Sequence, residues 1–278
     1  MSEFISANLI KLKDNKIPNP EIDLRILLNH SRCCKNEIIL SNFKTGQIDI
    51  KKFNSLLNRR ILREPISKII NRKSFWKDEF YVNKFVLDPR PETEGIIEES
   101  IKIFKNKKTQ IRILDIGTGS GAISISLARE FENAEIVAID ISEEAIKVTN
   151  KNTKEKKLDK QISIKKTSFE YIRDKFDLIV SNPPYLTQKE MNDISIEVKK
   201  YEPEVALFGG KDGLDFYREF SKKIVKNLKS GGYFIFEIGV SQLSNCIEIF
   251  RDSGLKFIKK SQDLQKKDRI MIFSKIYD

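Results

Sequence analysis

The chain has 278 residues, of which 40% are hydrophobic, so it can form one large domain or two smaller ones with a sizeable core. No apolar run approaches the ~18 residues of a membrane-spanning helix, and the first residues lack the basic and apolar regions of a signal peptide. The net charge of +11 comes mainly from lysines scattered along the chain, which argues against a dedicated nucleic-acid surface.

The cysteines and the single histidine exclude further classes of chemistry. Cys33, Cys34 and Cys246 are too few and too irregularly spaced for a disulfide framework or a zinc site. We therefore expect free thiols, a cytoplasmic protein and no bound metal or membrane partner. His30 lies in an apolar context and is expected to be structural, so we expect no catalysis that depends on an imidazole base.

Residues 1–72 have the apolar spacing of amphipathic helices and predict a small helical domain. Because the segment carries no cluster of acids, thiols or imidazoles, we expect it to recognise a partner rather than to perform chemistry. Two apolar stripes support the helices: Ile22, Leu24, Leu27 and Leu28, then Ile50, Phe53, Leu56, Leu57, Ile61 and Leu62.

Residues 73–90 change to aromatic and β-branched composition and predict a β-hairpin that links two domains. The two predicted strands are the runs 74–82 and 84–88, with Asn83 between them. The next segment, 89–94, reads Pro-Arg-Pro-Glu-Thr-Glu and opens a helix. Thr93 is the predicted N-cap of that helix, and the acidic residues suit its positive end.

Residues 91–278 form the second predicted domain, in which strands and helices alternate from about residue 111. This alternation is typical of an α/β fold with a doubly wound, mostly parallel sheet. The helix 215–228 is expected to stop at Gly231-Gly232. The other predicted helices are 122–131, 143–152 and 241–252, and the predicted strands are 111–116, 135–139, 162–165, 177–180, 233–238 and a closing antiparallel pair, 255–259 and 269–274.

The segment 115–121, Asp-Ile-Gly-Thr-Gly-Ser-Gly, lies between a predicted strand and helix, where glycines allow a sharp turn and close approach of a ligand. Gly117, Gly119, Ala122 and, ~20 residues later, Asp140 fit the dinucleotide fingerprint. The same residues fit the loop of S-adenosylmethionine-dependent methyltransferases. Asp115 favours the second interpretation, because its carboxylate would repel a pyrophosphate and attract an ammonium group. A tight turn without a ligand is the third interpretation.

A second motif, Asn182-Pro183-Pro184-Tyr185, follows the predicted strand 177–180. Proline has no N–H and a fixed φ, so this turn offers carbonyl acceptors without competing donors. The carbonyls of Asn182 and Pro183 could accept both hydrogens of a planar NH₂ group, and Tyr185 could stack on it. The turn could also simply end the strand, but the dinucleotide interpretation would leave it without a role.

Together these motifs resemble the class I methyltransferases that N-methylate a glutamine in peptide chain release factors. The resemblance covers almost the whole chain. The four-residue turn alone is shared with DNA adenine methyltransferases, and the other segments make the match specific. Two departures are Ser168, where an acid is frequent, and a missing glycine near Gln265. The matching segments are Arg63-Glu64-Pro65, 89–94, 115–121, 182–185, 202–214 and Glu237-Ile238-Gly239.

The resemblance implies a Rossmann-like, mostly parallel seven-stranded sheet with a small N-terminal helical domain. It implies methyl transfer from S-adenosylmethionine to the amide nitrogen of a Gly-Gly-Gln glutamine in a class I release factor, which supports translation termination and leaves S-adenosylhomocysteine. A nucleic-acid adenine N6-methyltransferase is the alternative. We expect a monomer without a nucleic-acid partner. The implied catalytic residues are Asn182, Pro183, Pro184 and Tyr185, and the implied cofactor residues are Asp115, Gly117, Thr118, Gly119, Ser120, Gly121, Asp140, Phe169 and Asn182.

Overall fold

The structure is a computed structural model that describes residues 2–33 and 47–276. The chain divides into two compact units, one of Met1–Asn71 with Ser195–Tyr201 and one of Arg72–Ile194 with Glu202–Asp278. Cys33 is exposed and Cys246 is buried, both as free thiols, whereas Cys34 lies outside the described residues. None of the described helices has both the length and the apolar character of a membrane span.

The elements of the described residues follow the predicted alternation. The helices are α1 (Ser2–Asp14), α2 (Pro20–His30), α3 (Ile50–Ile61), α4 (Ile66–Ile70), α5 (Glu94–Ile103), α6 (Ala122–Glu130), α7 (Glu143–Glu155), α8 (Gln188–Asp193), α9 (Ile196–Tyr201), α10 (Asp215–Asn227) and α11 (Leu243–Phe250). The strands are β1 (Arg72–Phe75), β2 (Asp78–Tyr81), β3 (Arg112–Ile116), β4 (Glu135–Asp140), β5 (Ile162–Lys166), β6 (Phe176–Ser181), β7 (Leu228–Glu237), β8 (Leu255–Gln262) and β9 (Asp268–Lys275).

The first unit is helical and contains α1 to α4 together with α9. Most of the two predicted apolar stripes are buried in its core, but Ile22, Ile50 and Leu62 are exposed. These three residues were wrongly placed in the core, because helical spacing does not define the edge of a buried face. The remaining stripe residues, Leu24, Leu27, Leu28, Phe53, Leu56 and Leu57, are buried, and Ile61 packs against them.

Ion pairs connect the distant segments of this first unit. The Arg60 guanidinium lies 2.6 Å from a carboxylate oxygen of Asp23, and both side chains are buried. Arg63 has a left-handed backbone (φ 71°) and donates to the carbonyl oxygen of Lys16 at 2.6 Å. Its guanidinium also lies 2.7 Å from Glu197 on α9. Arg63 of the Arg-Glu-Pro motif therefore connects the segment after α1 with α9 within this unit.

The predicted hairpin exists, but its turn was wrongly placed. β1 and β2 pair antiparallel around Trp76 and Lys77, and Trp76 is left-handed (φ 54°). The Trp76 amide donates to Glu94 at 2.7 Å and its indole N–H to Glu130 at 2.9 Å, and these bonds hold the turn. Asn83 accepts from the amide of Phe85 at 3.0 Å, so the chain curls there instead of continuing as a strand.

The second unit contains a seven-stranded sheet in the order β5-β4-β3-β6-β7-β9-β8. β3 to β7 are parallel, and β9 pairs antiparallel with both β7 and β8. Two clusters of buried side chains contain residues from the sheet and from the helices that pack on it. The predicted α/β class and the closing antiparallel pair are confirmed.

The predicted start of strand β7 at residue 233 is wrong, because the strand begins at Leu228. Helix α10 ends at Asn227, whose side chain donates to the carbonyl oxygens of Ile172 and Asp174 at 3.1 and 3.0 Å. Gly231 and Gly232 therefore lie inside β7 and do not stop the helix. They occur where the pairing of β6 with β7 shifts register, and Gly231 has a positive φ of 71°. The glycines allow this irregular backbone in β7.

The strand order determines where a ligand can bind. β3 lies in the middle of the parallel strands, with β4 on one side and β6 on the other. The chain runs outward from β3 through β4 to β5 and then returns to β6, so the strand order reverses between β3 and β6. In open α/β sheets, ligands bind at the carboxyl ends of the strands beside such a reversal. Both sequence motifs follow these two strands.

Candidate active site

A cavity of about 190 Å³ lies in the second unit, next to the carboxyl ends of β3, β4 and β6. Its lining comes from segments that are distant in the sequence, and it brings the glycine loop and the Asn-Pro-Pro turn together. The lining includes residues from 85–90, 116–120, 139–142, 167–169 and 181–184, and also Thr93. The described residues contain no cluster of three or more histidine, cysteine, aspartate or glutamate side chains that could hold a metal.

The glycine loop after β3 leaves space on the cavity side. Gly117, Gly119 and Gly121 all have positive φ values, of 73°, 57° and 80°. A Cβ added to Gly117 would have no heavy atom within 4 Å, whereas one added to Gly121 would lie 2.9 Å from a methyl of Thr149 on α7. Gly121 therefore allows the loop to pack closely against α7, and Gly117 leaves space for a ligand on the cavity side of the loop.

The loop is also held from behind by α7. Thr149 donates to the carbonyl oxygen of Gly119 and Asn152 donates to that of Ser120, each at 2.8 Å. Thr118 and Ser120 line the cavity, but the Thr118 hydroxyl points to Asp115. The backbone of the loop is thus fixed by hydrogen bonds that require no ligand.

Asp115, the last-but-one residue of β3, is completely buried beneath the loop and is not part of the cavity lining. Its Oδ2 accepts from Thr118 at 2.7 Å and from Ser124 at 2.5 Å. Its Oδ1 is buried without a hydrogen-bond partner among the described residues. Burial raises the pKa of Asp115 to about 6, while the two hydroxyls act in the opposite direction. An unpaired buried acceptor of this kind favours a cationic or donor group beside it.

Asp140 ends β4 and lines the cavity. Its two carboxylate oxygens accept from the amides of Gly119 at 3.0 Å and Ser142 at 2.9 Å, which fixes the side chain. Burial raises its pKa, and these backbone bonds oppose the shift. Each oxygen keeps further acceptor capacity. Asp140 can therefore accept hydrogen bonds from hydroxyl groups of a ligand.

Phe169 follows β5 and supplies an apolar wall of the cavity. Its ring is buried and makes an edge-to-face contact with Phe220 on α10, with ring centroids 5.8 Å apart. Ser168, which stands where an acid is frequent, lines the cavity beside it. This part of the site offers a flat apolar surface with one small hydroxyl next to it.

Asn182 lines the cavity and is held by a chain of hydrogen bonds from the turn into the core. Its side-chain NH₂ donates to the Thr93 hydroxyl at 2.9 Å, and that hydroxyl donates to Oε2 of Glu237 at 2.5 Å. Glu237 ends β7 and is fully buried, and its Oε1 accepts from the Tyr185 hydroxyl at 2.9 Å. Burial raises the pKa of Glu237, and the Thr93 and Tyr185 bonds oppose this shift.

Among the four residues of the turn, Asn182, Pro183 and Pro184 line the cavity and Tyr185 does not. The Tyr185 ring packs against the second hydrophobic cluster, and its hydroxyl is bound to Glu237. Burial and the nearby Glu237 raise the pKa of Tyr185. The structure therefore brings Asn182 and the two prolines together with the glycine loop and Asp140, while Tyr185 and Asp115 lie behind the cavity wall.

Comparisons with known proteins identify the family of this chain. Residues 107–271 match the family described as "Methyltransferase domain". The chain is 38% identical to the "Release factor glutamine methyltransferase" of Caulobacter vibrioides, over 94% of this chain and 92% of that protein. The chain belongs to the release factor glutamine methyltransferase family. It is also 37% identical to the "Bifunctional methyltransferase" of Rickettsia bellii, over 99% of this chain but only 55% of that protein.

The chain thus spans about half the length of some curated relatives that it matches, and nearly all of this release factor glutamine methyltransferase relative. Among solved structures, the hMettl16 catalytic domain is similar in fold, with a TM-score of 0.56. That alignment covers 70% of this chain and 74% of the other at 17% identity, which supports the fold alone.

The 202–214 motif lies beside the turn. A Cβ added to Gly209 would lie 2.7 Å from the carbonyl oxygen of Pro184, and one added to Gly213 would lie 2.3 Å from that of Tyr185. The side chain of Gln242 donates to the carbonyl oxygens of Tyr185 at 3.0 Å and Gly213 at 3.2 Å. These contacts fix the far side of the turn.

The contacts that three residues, Thr93, Glu237 and Gln242, make beside the cavity and the turn were not predicted from the sequence. Thr93 was predicted to cap α5, but its side chain makes no capping bond and binds Glu237 instead. Glu237 was recognised only as part of a motif, although an acid that ends a buried strand at the ligand edge of a sheet was a usable signal. Gln242 had no sequence signal of its own, because the partners that connect it to the turn and to the 202–214 motif, Tyr185 and Gly213, lie 57 and 29 residues away.

Proposed function

We propose that the protein transfers a methyl group from S-adenosylmethionine to the side-chain amide nitrogen of a glutamine in a peptide chain release factor. The observation that carries this proposal is that one cavity joins the Gly117 loop and Asp140 with Asn182 and the two prolines. The similarity to the release factor glutamine methyltransferase of Caulobacter vibrioides supports the substrate. The proposal covers the activity, the cofactor and the partner.

The residues present fit the proposed cofactor. The open space at Gly117 admits a ligand close to the backbone, and Asp140 can accept from two ribose hydroxyls. Phe169 would contact the adenine ring, and the unpaired Oδ1 of Asp115 would attract an ammonium group through the loop. When bound, S-adenosylmethionine supplies an electrophilic methyl on a positively charged sulfur. Its product is S-adenosylhomocysteine.

A dinucleotide fits these residues less well. A pyrophosphate at the loop would bring two negative charges close to the carboxylate of Asp115, which lies beneath the loop. Such an arrangement of like charges in a buried site is unfavourable. The dinucleotide interpretation also leaves Asn182 and its hydrogen bonds without a ligand. We therefore propose that the loop selects the methyl donor.

Asn182 is proposed to bind the acceptor amide. An amide nitrogen is a weak nucleophile because its lone pair is delocalised, so correct positioning contributes much of the rate; orientation can supply ~7–11 kcal/mol. Because the Asn182 NH₂ is bound to Thr93, its carbonyl oxygen is available to accept a hydrogen from the substrate. The carbonyl of Pro183 would accept the second hydrogen. The methylated nitrogen loses its extra proton to water, so no residue needs to act as a base.

The helical unit is proposed to recognise the release factor. Its core is apolar. Four of its charged side chains form ion pairs within the unit, Arg60 with Asp23 and Arg63 with Glu197. The division into a recognition domain over 1–72, a linker over 73–90 and a catalytic domain over 91–278 remains a proposal, as do the monomeric state and the cytoplasmic location.

The test is an incubation of the protein with labelled S-adenosylmethionine and either a class I release factor or an adenine-containing DNA duplex. Mass spectrometry should locate the methyl group on the glutamine of the Gly-Gly-Gln motif. A release factor with that glutamine replaced by alanine is the control and should remain unlabelled. Label in the duplex, or on another residue of the factor, would overturn the proposal.

A further inference from the structure

Thr93 lies between Asn182 and Glu237, and its single hydroxyl hydrogen determines how the three groups face one another. The Thr93 oxygen is 2.5 Å from Glu237 Oε2 and 2.9 Å from Asn182 Nδ2. The Thr93 hydroxyl donates its hydrogen to Glu237, and this bond together with that from Tyr185 favours the ionised carboxylate, which only accepts. The other oxygen of Glu237 is occupied by Tyr185, at 2.9 Å. The Thr93 oxygen can therefore only accept on its remaining side.

This chain of bonds allows one orientation of the Asn182 amide. If the side-chain amide of Asn182 were flipped by about 180°, its carbonyl oxygen would face the Thr93 oxygen. Two hydrogen-bond acceptors would then be in contact. Thr93 and Glu237 are both buried, at 4% and 1% exposure, so water does not readily bridge such a mismatch. The NH₂ group consequently faces Thr93, and the carbonyl oxygen is left for a ligand.

We propose that Thr93 and Glu237 are positioning residues for methyl transfer, because they fix the carbonyl oxygen of Asn182 as the group presented to the substrate amide. This inference rests on the proposed function. A purely structural role for Thr93 is less consistent with its contacts, because its side chain makes no capping bond to α5. Its side chain contacts Glu237 and Asn182 instead.

The test compares three single variants and one double variant with the unmodified protein. Thr93→Val keeps the shape but removes the hydroxyl, Thr93→Ser keeps the hydroxyl, and Asn182→Ala removes the amide. The double variant combines Thr93→Val with Asn182→Ala. Thr109→Val, at a half-buried threonine outside the cavity, is the matched control. Each protein is assayed for kcat and KM on release factor, for S-adenosylhomocysteine affinity by calorimetry and for its melting temperature.

We expect Thr93→Val to lower kcat about 10- to 100-fold, since the lost alignment acts in the transition state, with KM and cofactor affinity within about twofold. Thr93→Ser should restore most of kcat. The double variant should be no slower than Asn182→Ala, because Thr93 acts through Asn182. If Thr93→Val does not fold, Thr93→Ala takes its place in the same comparison.

Three results would overturn the inference. Thr93→Val could retain normal kcat, Thr93→Ser could be as slow as Thr93→Val, or the two losses could multiply in the double variant. Failure of the proposed function gives a different result. In that case the unmodified protein leaves the release-factor glutamine unlabelled, or Asn182→Ala methylates it at the normal rate.

Discussion

The hydroxyl of Ser181 donates to the carbonyl oxygen of Ile116 at 2.9 Å, and the two residues are register partners in neighbouring parallel strands. The glycine loop begins one residue after Ile116, and the Asn-Pro-Pro turn begins one residue after Ser181. Because strand pairing fixes the separation of neighbouring backbones, it also fixes the distance between the two halves of the cavity. The site therefore depends on the register of β3 and β6 as well as on its own side chains.

The first prediction is that cofactor affinity depends on pH through Asp115. Its pKa is raised to about 6 by burial, so the carboxyl is largely protonated at pH 5 and largely ionised at pH 7. S-adenosylhomocysteine retains the ammonium group. Its affinity should therefore increase as pH rises toward that pKa, by up to about tenfold per pH unit. Calorimetry from pH 5 to pH 8 measures this change. Asp115→Asn should bind weakly with no such dependence, and a flat profile in the unmodified protein would contradict the role of Asp115.

The raised pKa of Asp115 also affects the stability of the free protein, which should decrease as pH rises, whereas cofactor affinity should increase. The pKa of Asp115 rises from 3.8 to about 6 on folding, so the folded chain holds this proton more tightly than the unfolded chain. The contribution of Asp115 to the free energy of unfolding should therefore fall as pH rises through this window. Urea unfolding of the free protein and of Asp115→Asn at pH 4, 5, 6 and 7 isolates that contribution. Added S-adenosylhomocysteine should reduce the loss.

Asp140→Ala should weaken S-adenosylhomocysteine binding by ~1.5–3 kcal/mol, or roughly 10- to 160-fold, because a charged acceptor for the ribose is lost. Part of the loss would come from the loop, since Asp140 also holds the Gly119 amide at 3.0 Å. Asp140→Asn retains an acceptor and serves as the comparison. An unchanged dissociation constant in Asp140→Ala would remove this residue from the site.

Asn182→Ala should lower kcat far more than it changes cofactor affinity, because the contact with the acceptor amide strengthens as the nitrogen becomes pyramidal. Asn182→Asp keeps an acceptor but introduces a charge near Glu237, so partial activity is expected. If Asn182 served only to shape the turn, both variants would lose melting temperature together with activity. Thermal unfolding measured beside the kinetics decides between these roles.

Gly213→Ala should disturb the turn. Gly213 has a φ of 75°, and an added Cβ would lie 2.3 Å from the carbonyl oxygen of Tyr185. Gly254→Ala is a matched control, because Gly254 has a φ of 79° and its added Cβ would meet only a methyl of Val225 at 3.5 Å. Both variants should lose ~1–2 kcal/mol of stability from left-handed strain. Gly213→Ala should lose more because of its backbone clash, and it alone should also lose methyl transfer. Equal activity in the two variants would refute the contact argument.

The strands of the parallel sheet could be predicted from the sequence because buried strands are continuous apolar runs. The predicted 135–139 and 177–180 differ from Glu135–Asp140 and Phe176–Ser181 by one residue at their ends. The hairpin turn could not be predicted, because nothing in the sequence signals a left-handed tryptophan held by Glu94 and Glu130. Long-range contacts were the other limit. Thr93 and Glu237 are 144 residues apart, and local pattern gives no information on such a pairing.

The discontinuity of the helical unit constrains how this chain can recombine with its relatives. Glu197 lies in the segment Ser195–Tyr201, and its cationic partner Arg63 lies in the first 71 residues. A crossover that exchanged only the first 71 codons would supply a foreign helical scaffold while retaining the native α9. Glu197 would then lack an ion-pair partner unless the incoming segment also carried an arginine at the position of Arg63. Successful chimaeras should therefore exchange two separate stretches of the gene together, and the two stretches should change in step during evolution.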